Sequence, residues 1–207
     1  ELAVGTALLR GRVLGPDGTA MPGGALRLRL ADAAGRVLVQ GGRAVGVEAR
    51  CRESGRTVRV QAATVVNAGG PWVDAVRRLE DPGVPVLLPL SKGVHVALPR
   101  TLLPVREIAI LGPEDKRSIF AIPRGDVVVI GTTDTSYGTQ ADREPPVDRA
   151  DVEYLLAPIP RTFDVAPPRP ADCVSAWAGL RPLIAQPGKA PSELSRKDEI
   201  LIGPAGV

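Results

Sequence analysis

The stretch Thr64-Val65-Val66-Asn67-Ala68-Gly69-Gly70-Pro71-Trp72 constrains this chain more than any other. It is a β-branched apolar run that stops at two glycines and a proline. It then opens into Val73-Asp74-Ala75-Val76-Arg77-Arg78-Leu79, whose apolar positions have helical spacing. Open α/β sheets place ligands at the carboxyl ends of their strands, where glycines let main chain approach closely. The run therefore points to a ligand crevice, with a strand that simply needs a small-residue turn as the alternative.

The length of 207 residues leaves room for one large or two small domains. A hydrophobic content of 44% with mixed charge indicates a globular chain. No apolar run approaches the ~18 residues a membrane-spanning helix needs, and a peripheral membrane contact stays open. The net charge of +3 comes from scattered arginines, with only two Trp, two Tyr and two Phe beside them. Nucleic-acid recognition needs a basic stripe or a stacking platform, so the arginines are better matched to an anionic small molecule. Cys51 and Cys173 are too few for a disulfide framework, and one histidine with two distant cysteines makes no metal constellation. Nothing at the start resembles a signal peptide, so a reducing, cytoplasmic interior is expected. The chain opens on Glu1 and ends at Val207 in what reads as a strand and turn, so a piece of a longer protein is expected.

Residues 1–24 are punctuated by glycine and proline and carry little apolar period. The segment Ala25 to Ala34 alternates like a strand at first, yet its Ala and Leu content and the following Gly35 favour a helix. Short β runs at 36–40, 44–50 and 57–62, parted by Gly41-Gly42 and a turn at 53–56, predict a meander of hairpins rather than a phosphate loop. From Ser91 to Arg100, alternation puts Val94, Val96 and Leu98 on one face and His95 and Ala97 on the other. Segments 118–123 and 126–134 read as two more antiparallel strands around Arg124-Gly125. Asp148 caps a helix that stops at Pro158, with Asp151 at its third position. Segment 173–184 is expected to be a strand returning to the first unit, and 193–202 a polar hairpin edge with one more strand.

In this order the pieces become recognisable. Val65-Val66-Asn67-Ala68-Gly69-Gly70-Pro71-Trp72, Ser91-Lys92-Gly93-Val94-His95, Ile122-Pro123, Ile130-Gly131-Thr132-Thr133-Asp134-Thr135, Trp177-Ala178-Gly179-Leu180-Arg181-Pro182-Leu183 and Ser195-Arg196 follow one another here. The chain resembles, from about Ala44 to about Ile202, the middle and later part of FAD-dependent glycerol-3-phosphate dehydrogenases, within the D-amino-acid-oxidase-like flavoproteins. The resemblance implies a mixed α+β and α/β fold. An incomplete Rossmann-like FAD-binding unit would span 1–85, an antiparallel-sheet substrate cap 86–175, and a return to the FAD-binding unit 176–207. The family's N-terminal G-x-G-x-x-G turn and its C-terminal Gly-Gly-Lys-x-Thr-Thr stretch are expected outside this chain. Gly70 stands where the family usually has Ala, and Arg124 where it usually has Trp, which puts local packing of the cap in question.

The activity so implied is oxidation of sn-glycerol 3-phosphate to dihydroxyacetone phosphate, with electrons passing from FAD to a quinone or other acceptor. The alternatives are a flavin-dependent amino-acid or 2-hydroxy-acid oxidoreductase, or a truncated non-catalytic fragment. A location at the inner face of the cell membrane and a homodimer stay open. By the same resemblance Arg181 and Arg196 bind substrate, and a guanidinium fork suits phosphate oxygens. Lys92 is a further candidate cation. It lies on one strand with His95 at odd spacing, so the two face opposite sides. Ala68, Gly69 and Gly70 would run close to the adenosine half of FAD, with Trp72 as packing. Thr132, Thr133 and Asp134 read as a strand end whose side chains satisfy its turn. No catalytic base is identified.

Overall fold

A computed structural model describes residues 6–207, apart from 11–12, 15–19, 22–24, 30–34, 51–54, 113–116, 139–140, 142–143 and 185–198; residues 6–34 are described in backbone only. The chain divides into two compact units, 1–88 with 195–207, and 89–194.

In the first unit, β1 (Thr6–Arg10) pairs antiparallel with β4 (Ala25–Arg29), and β2 (Val13–Leu14) with β3 (Ala20–Met21). The helix expected from Ala25 is thus a strand. The Leu/Arg alternation fits a pleated ladder, and pairing outweighs the helix propensity of its leucines. β5 (Gly35–Gln40), β6 (Arg43–Arg50) and β7 (Thr57–Gln61) form the expected hairpin meander. Its cross-strand row Arg36, Glu48 and Arg59 is an ion triad, with Arg36 Nε 3.0 Å from Glu48 Oε1 and Arg59 on Glu48 Oε2. A 3-10 turn, Gly70–Trp72, leads into helix α1 (Val73–Glu80) as the helical spacing predicts. The run Thr64 to Val66 is not a strand. Val65 is buried beside Ala62, but the described residues supply no partner strand for its main chain.

Asp74 on α1 is buried and fully engaged. Its Oδ2 accepts the main-chain N–H of Leu87 at 3.0 Å and of Leu88 at 2.9 Å, and its Oδ1 accepts from Arg77 at 2.7 Å. Burial pushes its pKa up, but the Leu88, Arg77 and Leu87 hydrogen bonds prevail and leave it lowered. Asp74 therefore ties α1 to the segment that follows it. Segment 199–202 forms no strand, and Ile200 and Ile202 are exposed.

The second unit is an antiparallel sheet backed by helices. Its strands are β8 (Leu90–Pro99), β9 (Ala109–Leu111), β10 (Ile119–Arg124), β11 (Val127–Gly131), β12 (Thr135–Gly138) and β13 (Ser175–Pro182). β8 is central: β11 and β12 pair with successive halves of one edge, and β13 runs along the other. The strand expected to return to the first unit is therefore built into this sheet over its whole length. Helices α2 (Arg149–Leu156) and α3 (Ile159–Thr162) follow β12. Asp148 is the N-cap of α2, and its N–H donates to Asp151 Oδ2 at 3.2 Å.

Alternation decides which face is covered. Val94, Val96 and Leu98 of β8, Ile119 and Ala121 of β10, and Val128 and Ile130 of β11 are buried with Val152, Leu155 and Leu156 of α2 and Ile159 of α3. Burying each of these Val, Leu and Ile side chains contributes about 1.5–3 kcal/mol. The neighbouring positions, Ser91, Gly93, His95 and Ala97 on β8, point to the other face. Arg124, which takes a position usually held by Trp, is exposed at the β10–β11 turn, so its charge stays in water and the core is untouched. No helix among the described residues is long and apolar enough to cross a membrane.

Candidate functional site

The face of the sheet away from α2 is built by the register of β13 on β8. Trp177 lies opposite His95, Gly179 opposite Gly93, and Arg181 opposite Ser91. Beyond the other edge of β8, the kink Thr132 to Asp134 separates β11 from β12. Across this kink Thr133 bridges to β8 through its main chain, whose N–H donates to the Val94 carbonyl at 3.3 Å, and through its side chain. Its Oγ1 accepts the Val94 N–H at 2.9 Å and donates to the Lys92 carbonyl at 3.3 Å. The kink residues thus satisfy their turn through side chains, as the sequence predicts.

Arg181 reaches over β8 to that kink. Its guanidinium donates to Thr132 Oγ1 at 2.7 Å and to the Thr133 carbonyl at 3.2 Å, and lies 3.7 Å from Asp134 Oδ1. Asp134 in turn accepts the hydroxyl of Ser91. The path across the strand exists because position 93 is glycine: a Cβ there would overlap the Arg181 guanidinium. The Arg181 side chain keeps 29% exposure, so it is held in place yet open to a ligand.

His95 stacks on Trp177 with ring centroids 5.5 Å apart and planes within 6°. Gly131 opposite it leaves the room its ring fills. Burial, and then the positive charge of Arg181, hold the His95 pKa below its ordinary value, so the ring is neutral at pH 7.

Lys92, expected among the substrate cations, belongs to the opposite face. Its ammonium is buried and donates to Asp148 at 2.6 Å, Asp151 at 2.7 Å and the Pro146 carbonyl at 3.1 Å. An ammonium has three donors, and these contacts take all three. Burial pulls its pKa down, but the hydrogen bonds to Asp148 and Asp151 prevail and leave it raised. Lys92 clamps α2 to β8 and is not presented to a ligand. The sequence placed it correctly opposite His95; only the acidic start of α2 could have revealed its partners.

In the first unit, the Asn67 to Trp72 bend is ordered by Asn67. Its Oδ1 accepts the Gly69 N–H at 3.2 Å, and its Nδ2 donates to the Val73 carbonyl at 3.0 Å. Gly69 is buried in this turn, Ala68 is exposed, and Gly70 has φ 55° with open space where a side chain would be. Trp72 is half-buried. Arg196 lies outside the described residues.

The chain as a whole is similar to known proteins. The aerobic glycerol-3-phosphate dehydrogenase of Staphylococcus haemolyticus is 40% identical over 163 residues, which cover 78% of this chain and 29% of that protein. The enzyme of the same name from Bacillus subtilis is 37% identical over 171 residues, covering 83% and 31%. The crystal structure of glycerol-3-phosphate dehydrogenase from Bacillus halodurans, complexed with FAD, matches with a TM-score of 0.70 and 36% identity over 83% of this chain and 32% of that one. The chain thus spans about three tenths of the length of these relatives. Residues 3–197 match the family described as FAD dependent oxidoreductase, and the chain belongs to that family.

Proposed function

We propose that this chain is the middle and later part of an FAD-dependent glycerol-3-phosphate dehydrogenase, and that its β8–β13 face binds the phosphate end of the substrate through Arg181. The observation that carries the reading is the guanidinium held across Gly93 and still partly exposed. A planar fork fixed before binding pairs with two phosphate oxygens at once, and each charge-assisted contact is worth about 1.5–3 kcal/mol. Arg196 is proposed as a second phosphate ligand on the resemblance of Ser195-Arg196 to the family's motif. The identity of 37–40% to named glycerol-3-phosphate dehydrogenases favours this substrate over an amino or hydroxy acid.

The residues present suit part of an FAD site. Exposed Ala68 and the open side of Gly70 leave main chain accessible to the adenosine half. A pyrophosphate needs a glycine-rich turn at a helix N-terminus, and the sequence has no G-x-G-x-x-G to provide one. Within the longer protein the flavin supplies the hydride acceptor for a secondary alcohol. This chain's own part is to bind and orient the phosphate and to keep a neutral imidazole on the same face. Electron transfer onward to a quinone or other acceptor, at the inner face of the membrane, is the expectation the resemblance brings with it.

The test is a substrate panel on the full-length protein. Under anaerobic conditions glycerol 3-phosphate should bleach the visible flavin band, and sarcosine and 2-hydroxyglutarate should not. Bleaching by either of the latter with none by glycerol 3-phosphate would overturn the assignment.

A further inference from the structure

We propose that Thr132, Asp134 and Ser91 form a positioning set that fixes the Arg181 guanidinium, and so sets the affinity of this face for the anionic end of a substrate. The inference rests on the reading that Arg181 binds that anion. Arg181 crosses β8 to reach the kink, where Thr132 Oγ1 is 2.7 Å and Asp134 Oδ1 3.7 Å from its nitrogens. Ser91, fully buried, is the cross-strand neighbour of Arg181 and donates its hydroxyl to Asp134. The acceptors thus sit on the edge of β8 opposite the strand that carries Arg181, and together with Gly93 below they define one path for its side chain. An arginine left to itself samples many rotamers and gives up that freedom on binding; one held beforehand does not.

The experiment uses the full-length protein with Thr132→Val, Thr132→Ser and Asp134→Asn, and reads KM and kcat for glycerol 3-phosphate beside flavin content. Thr132→Val removes the acceptor at nearly constant shape, and its KM should rise about tenfold with kcat within about threefold. Thr132→Ser keeps the acceptor and should return KM to within about twofold of the wild type. Asp134→Asn separates positioning from charge. If Asp134 merely screened Arg181, its loss would lower KM; as a positioning group, its loss raises KM.

A wild-type KM in Thr132→Val, a Thr132→Ser protein as impaired as Thr132→Val, or a lowered KM in Asp134→Asn would each overturn the inference. Should Thr132→Val fail to fold, the Asp134→Asn result decides by the same sign. If the wild-type protein oxidises 2-hydroxyglutarate instead, the substrate reading has failed. KM for that carboxylate in the same variants then tests the positioning set by itself.

Discussion

At Gly93 the missing side chain is what lets the Arg181 guanidinium lie across β8. The atom a new Cβ would strike is the far end of a flexible side chain, so Gly93→Ala should fold and instead swing the guanidinium off Thr132. KM for the anionic substrate is expected to rise about tenfold with the unfolding midpoint little changed, as steady-state kinetics beside thermal unfolding would read. His95 gives a second prediction at this scale. Its folded pKa lies below the ordinary 6.5, so the unfolded chain binds the proton first as pH falls. Its contribution is therefore complete above that value and is lost as pH falls through the folded pKa. Thermal unfolding between about pH 5 and 7 should show a shallower slope in His95→Gln than in the wild type. Arg181 was legible in the sequence because it interrupts an apolar run inside a motif. Its holders were not, since Ser91, Gly93 and Thr132 meet it only through the β13–β8–kink register, which no local pattern encodes.

Among the elements, α2 and β8 are joined by one buried cation. Removing it leaves Asp151, whose side chain is 9% exposed, without its counter-charge, and Lys92→Met should lower stability by about 3–5 kcal/mol in denaturant unfolding. Asp148, which is 63% exposed, adds little to that cost. The pH sign is opposite to that of His95. Because the folded pKa of Lys92 is raised, its contribution is complete below the ordinary 10.5 and is lost as pH rises through the folded value. Alkaline unfolding of Lys92→Met should accordingly be less steep than that of the wild type. The hairpins, the α2 cap and the alternation of β8 were legible because turn residues and side-chain period encode them locally. β4 was not, because its Ala and Leu content and the following Gly35 favour a helix against its strand-like alternation, and only pairing with β1 settles it. The runs at 64–66 and 200–202 have strand composition, but among the described residues neither has a partner.

For the whole molecule, the order of motifs along the chain carried the family, while the division into units came from three-dimensional contacts. The resemblance put a boundary near 85, and the three-dimensional contacts divide the chain after residue 88. The end of the second unit was not. Segment 173–184 looked like a return to the first unit, whereas the pairing of its residues Ser175–Pro182 with β8 makes it part of the candidate site. The proposed chemistry depends on that placement, because it turns Arg181 from one arginine among many into a charge carried on the antiparallel sheet of the second unit. The most direct measurement is KM for glycerol 3-phosphate in the full-length protein with Arg181→Ala and Arg181→Lys. The account predicts a rise of about 10- to 100-fold for alanine and partial recovery for lysine, whose point charge lacks the planar fork. A KM for Arg181→Ala equal to that of the wild type would contradict it.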